Sequence, residues 1–291
     1  MLNWGRLLTA MVTPFDEQYE LDYEQAVALA QQLISEGTTA LLAAGTTGEA
    51  PTLSSEEKFR LFKTLSNEVN VPLIANIGTN STHDSIELAR EAEKIGVDGL
   101  MAVVPYYNKP NQECLYRHFK AIAEEVSLPV LLYNVPGRTG INMEADTVIE
   151  LSKIKNIVAL KEASGDLAQA GKIIDETEDF LVYSGDDAMT LPMMAVGGYG
   201  IVSVASQVAG KKMSEMIEAY LEGNTEKAAS IHLKLLPLFN NLFITTNPIP
   251  VKAAVNMRGI NAGKLRLPLH EASEEVKNIL QADLKKLEII N

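Results

Sequence analysis

Eight short apolar runs, separated by stretches of helical spacing, dominate this sequence. The runs are 7–13 (LLTAMVT), 39–44 (TALLAA), 71–77 (VPLIANI), 98–104 (DGLMAVV), 128–134 (LPVLLYN), 156–161 (NIVALK), 179–184 (DFLVYS) and 199–204 (YGIVSV). Most are nearly continuous rather than alternating, as expected of strands covered on both faces. The intervening segments, such as 23–37, 54–69 and 81–96, have apolar residues at helical intervals. The Ser54-Ser55-Glu56-Glu57 cluster suits a helix N-terminus, and Gly37 and Gly96 suit C-termini. Eight strand-plus-helix units of this size predict an α/β fold, a (β/α)8 barrel, over residues 1–224. The stretch 225–291 has helical patterns only and is expected to pack on the barrel as a C-terminal helical extension, with Pro248 and Pro250 placed to begin a helix. A doubly wound open sheet is the competing architecture. It fits less well, because evenly spaced units with no antiparallel edge favour closure.

Composition narrows the function classes. The 291 residues carry a formal net charge of −13, which gives no general attraction to nucleic acid or anionic membranes. A single cysteine, Cys114, excludes an intrachain disulfide and suits a reducing cytoplasm. The opening MLNWGRLLTAMVTPFDE lacks a basic segment followed by a long apolar run, and no stretch has the ~18 apolar residues of a membrane span.

In such a barrel, chemistry gathers at the C-terminal ends of the strands and in the loops that follow. Lys161 ends the run Ile157-Val158-Ala159-Leu160-Lys161. An ammonium held among apolar strand residues loses solvation, its pKa falls, and the neutral amine can attack a carbonyl to form a Schiff base. The alternative is a lysine that snorkels from the barrel mouth into water. Tyr133 ends the neighbouring strand and could either pass protons in a hydroxyl relay or simply cap the barrel. Thr46 and Thr47 lie between Gly45 and Gly48, where backbone and hydroxyl donors could meet a carboxylate or merely close a turn. Arg138, on a loop past Tyr133, has a fork suited to a carboxylate, although loop arginines are commonly just solvated. The pair Asp186-Asp187 has no third ligand placed near it, and His83, His118, His232 and His270 share no metal-ligand spacing, so these histidines read as structural or surface residues.

Together the segments GTTGEAPTLS (45–54), PYYNKP (105–110), YNVPGRTG (133–140), VALKEASGD (158–166), SGDD (184–187) and NPIPVKAAV (247–255) resemble the dihydrodipicolinate synthase family, within the pyruvate-dependent class I aldolases. The resemblance runs from about residue 6 to the end. The GTTGE segment and the strand-end lysine are shared by the whole superfamily, whereas the double tyrosine and YNVP-x-RTG are more specific to the synthases. It implies a barrel enzyme, usually a homotetramer, that condenses pyruvate with L-aspartate 4-semialdehyde on the route to diaminopimelate and lysine, with no metal or organic cofactor. By motif position it implies Lys161 as the imine-forming amine, Tyr133 as proton donor and acceptor, and Thr46 and Tyr107 as the rest of a hydroxyl relay, Tyr107 serving a neighbouring subunit. It implies Thr47 and the backbone of Val202 as pyruvate ligands, and Arg138 as the partner of the semialdehyde carboxylate.

One departure bears on regulation. Lysine-inhibited members of the family resemble one another in carrying histidines where this chain has Ser55 and Lys58, while Asn80 and Tyr106 are kept and Asp84 supplies a shorter acid. A cation at Lys58 would repel a lysine ammonium, so weak or absent lysine inhibition is expected. Related N-acetylneuraminate lyases and 2-keto-3-deoxy sugar acid aldolases also use the lysine and tyrosine, but typically lack the Arg138 context. A catalytically silent barrel that binds a keto acid is the remaining alternative.

Overall fold

In the computed structural model, which describes residues 4–291, each apolar run becomes a strand. These are β1 (Leu7–Ala10), β2 (Ala40–Ala43), β3 (Leu73–Asn76), β4 (Gly99–Val103), β5 (Val130–Asn134), β6 (Ile157–Glu162), β7 (Leu181–Ser184) and β8 (Gly200–Ser203). Each pairs in parallel with the next, and β8 pairs with β1 through Leu8 and Val202, so the sheet closes into a barrel rather than staying open. The first three residues of the expected 1–224 range lie outside the described residues.

Residues alternate between the two faces of a strand, and the alternation separates two cores. Leu8, Ala10, Leu42, Ile74, Met101, Leu131 and Ala159 point inward and pack with Trp4 inside the barrel. Their neighbours Leu7, Leu41, Leu73, Leu100, Leu132 and Leu160 point outward and pack under the helices. Both faces are dry, which is why the sequence runs are continuously apolar. β1 stops at Ala10, three residues before its run ends, and β5 and β7 begin two residues inside theirs, while β6 runs one residue beyond, to Glu162.

The helices are α1 (Tyr23–Ser35), α2 (Ser55–Glu68), α3 (Thr82–Ile95), α4 (Gln112–Glu124), α5 (Pro136–Thr139), α6 (Ala145–Ser152), α7 (Leu167–Asp175), α8 (Thr190–Ala195), α9 (Ser206–Leu221), α10 (Thr225–Asn241), α11 (Ile249–Met257) and α12 (Glu274–Lys286). Ser54 caps α2 in a reciprocal pair with Glu57, and Gly96 ends α3 in the left-handed conformation at φ +91°. Arg138 belongs to the single turn α5, not to an irregular loop. Pro136 at the start of that turn explains the difference, because its fixed φ pre-forms helical geometry. Pro248 and Pro250 flank the start of α11 as expected. In the C-terminal region α10 packs along α9, and α12 lies against α10 and α11. Among the described residues, no helix is long and apolar enough to cross a membrane.

Trp4 plugs the barrel interior at 2% exposure, and a Cβ on Gly99 would meet its ring at 2.2 Å. Trp4→Ala is expected to lower the unfolding free energy by about 3–5 kcal/mol, measured by urea denaturation. A loss below about 1 kcal/mol would mean that the indole is dispensable packing.

Candidate active site

Register and alternation together place Lys161. On β6 it pairs with Tyr133 of β5 and Tyr183 of β7, and its side chain points inward while Glu162 points outward. Glu162 is held there by Asn134 Nδ2 at 3.0 Å, the Ser164 amide at 2.6 Å and Gln169 Nε2 at 3.2 Å. Lys161 is 5% exposed, and its Nζ lies 4.3 Å from the centroid of the Tyr133 ring. Burial pulls its pKa down to about 8; the Asp187 carboxylate opposes this and the Arg138 guanidinium adds to it. About a tenth of the side chain is then neutral at pH 7, far more than for a solvated lysine.

Tyr133 is 6% exposed, and burial pushes its phenol up to about 12 although Arg138 and the Thr46 hydroxyl favour the ionised form. It is therefore a protonated phenol near neutral pH, equipped to donate. Lys161, Tyr133, Thr46, Thr47 and Arg138 all line one cavity of about 300 Å³ at the C-terminal mouth of the barrel. The snorkelling alternative for Lys161 is thereby excluded. Two expected residues are not brought to this cavity. Val202 is fully buried in the inner core, and Val204, two residues on, lines the cavity instead. Tyr107 is 88% exposed on a turn with φ +74°, outside its own chain's cavity.

The segment after β2 is a hydrogen-bonded turn, with the Glu49 amide donating to the Thr46 carbonyl and the Ala50 amide to the Gly45 carbonyl, both at 3.1 Å. Ala44 and Glu49, at either end, both adopt positive φ, +51° and +56°. Asn76 Nδ2 donates to the Ala44 carbonyl at 2.9 Å, and Thr13 Oγ1 donates to the Gly48 carbonyl at 2.7 Å. A Cβ on Gly48 would sit 3.0 Å from that same Thr13 oxygen and 3.1 Å from the Met11 carbonyl, so this close approach favours glycine. The cap of α2 is Ser54, which leaves the Thr46 and Thr47 hydroxyls without a helix-capping duty. Asn247 Nδ2 donates to Thr47 Oγ1 at 3.0 Å, and the Asn247 carbonyl accepts from Arg138 at 3.3 Å.

In the sequence Asp187 drew notice only as a possible metal-ligand pair with Asp186, and Asn247 was not singled out. Asp187, fully buried, accepts from Ser203 Oγ at 2.5 Å and from the Val204 and Ala205 amides at 3.1 and 3.0 Å, so it fixes the loop after β8. Burial raises its pKa to about 6, partly offset by those three donors. It is also the negative charge felt by Lys161. The SGDD and NPIPVKAAV segments were the available signals, but neither states which side chain turns inward. Among the described residues no three His, Cys, Asp or Glu side chains cluster as metal ligands. His118 is buried, pairs with Thr82 Oγ1 at 2.8 Å, and is kept neutral by burial, with a pKa near 4.

The model of the Dihydrodipicolinate synthetase family matches residues 3–287. The chain belongs to that family. It is 56% identical over 288 residues to 4-hydroxy-tetrahydrodipicolinate synthase of Moorella thermoacetica, covering 98% of this chain and 99% of that one. Its identity to the Bacillus subtilis enzyme of the same name is 53% over 290 residues, covering 98% and 100%. Among solved structures, dihydrodipicolinate synthase from Cyanidioschyzon merolae with lysine bound superposes with a TM-score of 0.98 at 45% identity, covering 100% of each chain.

The Lys161 environment makes a pH prediction. Borohydride trapping of a 2-oxo acid should accelerate about tenfold per pH unit on the acid side, as the neutral amine fraction rises, and level off above about pH 8. A rate that keeps climbing to pH 10 would show a lysine titrating as though solvated.

Proposed function

We propose that this chain condenses pyruvate with L-aspartate 4-semialdehyde through an imine on Lys161, giving 4-hydroxy-tetrahydrodipicolinate for diaminopimelate and lysine synthesis. The observation that carries the reading is the buried Lys161 amine over the Tyr133 ring, in one cavity with Thr46 and Thr47. The synthase names carried by relatives at 56% and 53% identity supply the substrates.

The neutral Lys161 amine attacks C2 of pyruvate. The carbinolamine loses water, and the leaving hydroxyl takes its proton from the Tyr133 phenol. The imine is a better electron sink than the ketone, so a C3 proton departs to give an enamine. The enamine carbon attacks the aldehyde, whose oxygen becomes the 4-hydroxyl. The amino group of the second substrate then displaces Lys161 at C2, closing the ring and freeing the enzyme. One water is released overall. In this reading Thr47 holds the pyruvate carboxylate, Thr46 passes protons to Tyr133, and Arg138 holds the semialdehyde carboxylate, while the expected Val202 backbone ligand is left without a part because Val202 is enclosed in the inner core.

Tyr107 is assigned to the relay of a neighbouring subunit in a homotetramer. Its exposure of 88% leaves the side chain free to meet another subunit and supports that role. A cytoplasmic location follows from the same biosynthetic role, and the free, exposed Cys114 is compatible with a reducing compartment. The sugar-acid aldolase reading is not favoured by the relatives' names, and the silent-barrel reading is not favoured by the assembled lysine, tyrosine and threonines.

Lysine inhibition is expected to be weak or absent. Lys58 is half-buried in a chamber of about 350 Å³ that also takes in Tyr106, and its side chain has no ion-pair partner among the described residues. Burial lowers its pKa, but a lysine ligand would still meet a cation there.

A coupled assay with both substrates should give turnover, while N-acetylneuraminate and 2-keto-3-deoxygluconate should not be cleaved; the reverse pattern would move the chain to the aldolase group. Lys161→Ala should abolish the borohydride-trapped pyruvate adduct seen by intact mass, and an undiminished adduct would relocate the nucleophile. Tyr133→Phe should slow turnover by roughly 10²–10⁴, and near-normal turnover would remove its proton-transfer role. Adding L-lysine should leave the rate nearly unchanged, whereas an inhibition constant in the millimolar range or tighter would refute the regulatory reading.

A further inference from the structure

Behind the cavity lies a buried ion pair that the reaction above does not use. Lys252 of α11 and Glu49 of the loop after β2 are each 1% exposed, with Lys252 Nζ 2.8 Å from Glu49 Oε1. The same ammonium donates to the Thr13 carbonyl at 2.8 Å and lies 4.2 Å from the centroid of the Phe15 ring. The second carboxylate oxygen of Glu49 accepts the Arg266 amide at 3.0 Å. The Arg266 guanidinium lies over the other approach to Phe15 at 4.3 Å and reaches Glu57 of α2 at 2.5 Å. Neither Lys252 nor Glu49 lines the cavity that holds Lys161.

Position in the chain gives this pair its meaning. Glu49 follows Gly48 directly and stands three residues after Thr46, with its backbone in the left-handed region at φ +56°, an uncommon state for a glutamate. Such a conformation persists only where surrounding contacts over-determine it. Two contacts do so here, one from α11 and one from the segment that follows it. A buried ion pair adds little stability over apolar packing of the same shape, so simple adhesion of the C-terminal region does not require charge at this point. A directional tie does. Thr13, whose carbonyl takes the second ammonium bond, itself clamps Gly48 through its hydroxyl. One ammonium therefore fixes the loops after β1 and β2 relative to each other. Five residues before Lys252, Asn247 bonds the Thr47 hydroxyl and receives Arg138. The stretch 247–252 thus contacts Thr47 and Arg138 in the cavity wall through Asn247, and the loop behind Thr47 through Lys252.

We propose that Lys252 is a positioning residue: through Glu49 it holds the Thr46–Thr47 segment in the geometry that receives the 2-oxo acid carboxylate. The proposal rests on the assignment of that segment to pyruvate. Its test compares Lys252→Met, Glu49→Gln and the double variant Lys252→Met/Glu49→Gln with wild type, reading the melting temperature, kcat and the pyruvate KM separately. The single variants leave a buried group unpaired and could fail to fold, so the double variant, which removes both charges, is decisive. A folded double variant is expected to raise the pyruvate KM about tenfold, the loss of one good charge-assisted hydrogen bond. At saturating pyruvate its borohydride-trapped adduct on Lys161 should still form. A double variant with a wild-type pyruvate KM would overturn the proposal, because the pair would then only neutralise its own charges. A folded single variant with an unchanged KM would overturn it equally. Thr47→Val runs alongside. An unchanged KM in that variant removes the hydroxyl assignment and the route proposed through it. A raised KM there with a normal one in the double variant removes the clamp alone.

Discussion

The proposed chemistry depends on keeping a charged-by-default amine in a place where charge is disfavoured. Lys161 occupies the inner layer of a closed sheet, where its strand neighbours are apolar and water is scarce. Removing an ammonium from water costs several kcal/mol if nothing replaces the hydration. Here the replacement is partial: the face of Tyr133 and the field of Asp187. Arg138 works against them. The balance leaves the amine with a pKa near 8, so it is readily available as a nucleophile and still able to recover a proton. Full neutralisation by a close carboxylate would have defeated the purpose.

The environment that disfavours charge on the lysine also disfavours it on the phenol, with opposite consequences for function. Tyr133 is driven toward its neutral, proton-bearing form while Lys161 is driven toward its neutral, electron-pair-bearing form. In the proposed reaction these adjacent groups, lining one cavity, serve as acid and nucleophile. Asp187 has a different part. Its three donors tie it to the end of β8, and its charge reaches Lys161 from there.

Backbone strain concentrates around the same mouth. Ala44, Glu49, Tyr107 and Lys109 hold positive φ in loops that follow β2 and β4, and Tyr19, Asp179 and Glu288 do so elsewhere. Strands and helices elsewhere follow local preference, as the capping pair of Ser54 and Glu57 and the C-terminal Gly96 illustrate. This agrees with the general pattern in which local rules give way at functional sites and tertiary contacts supply the compensation. The C-terminal helices provide much of it here. Phe239, Asn240, Phe243 and Asn247 line the cavity, while Lys252 and Arg266 secure the loop beneath.

Sequence by itself determined the barrel, because strands buried on both faces must be apolar throughout and the helices between them must be one-sided; those two patterns are visible without coordinates. It also determined Lys161, Tyr133, Thr46, Thr47 and Arg138 as candidates, since each falls at a strand end or in the short segment that follows. Arg138 in a helical turn was missed because four residues are too few to show helical periodicity. Asp187 was weighed only as half of a metal-ligand pair with Asp186 that lacked a third ligand, and only folding turned one of the two inward. Asn247 and Lys252 lie about 200 residues from the loop they hold, a separation no periodicity can bridge. Only the tertiary structure decided how dry the amine is, which charges it feels, and that the last quarter of the chain helps to build the mouth of the barrel. Solvation and pairing energies depend on distances between residues remote in sequence, and the closed fold alone sets those distances.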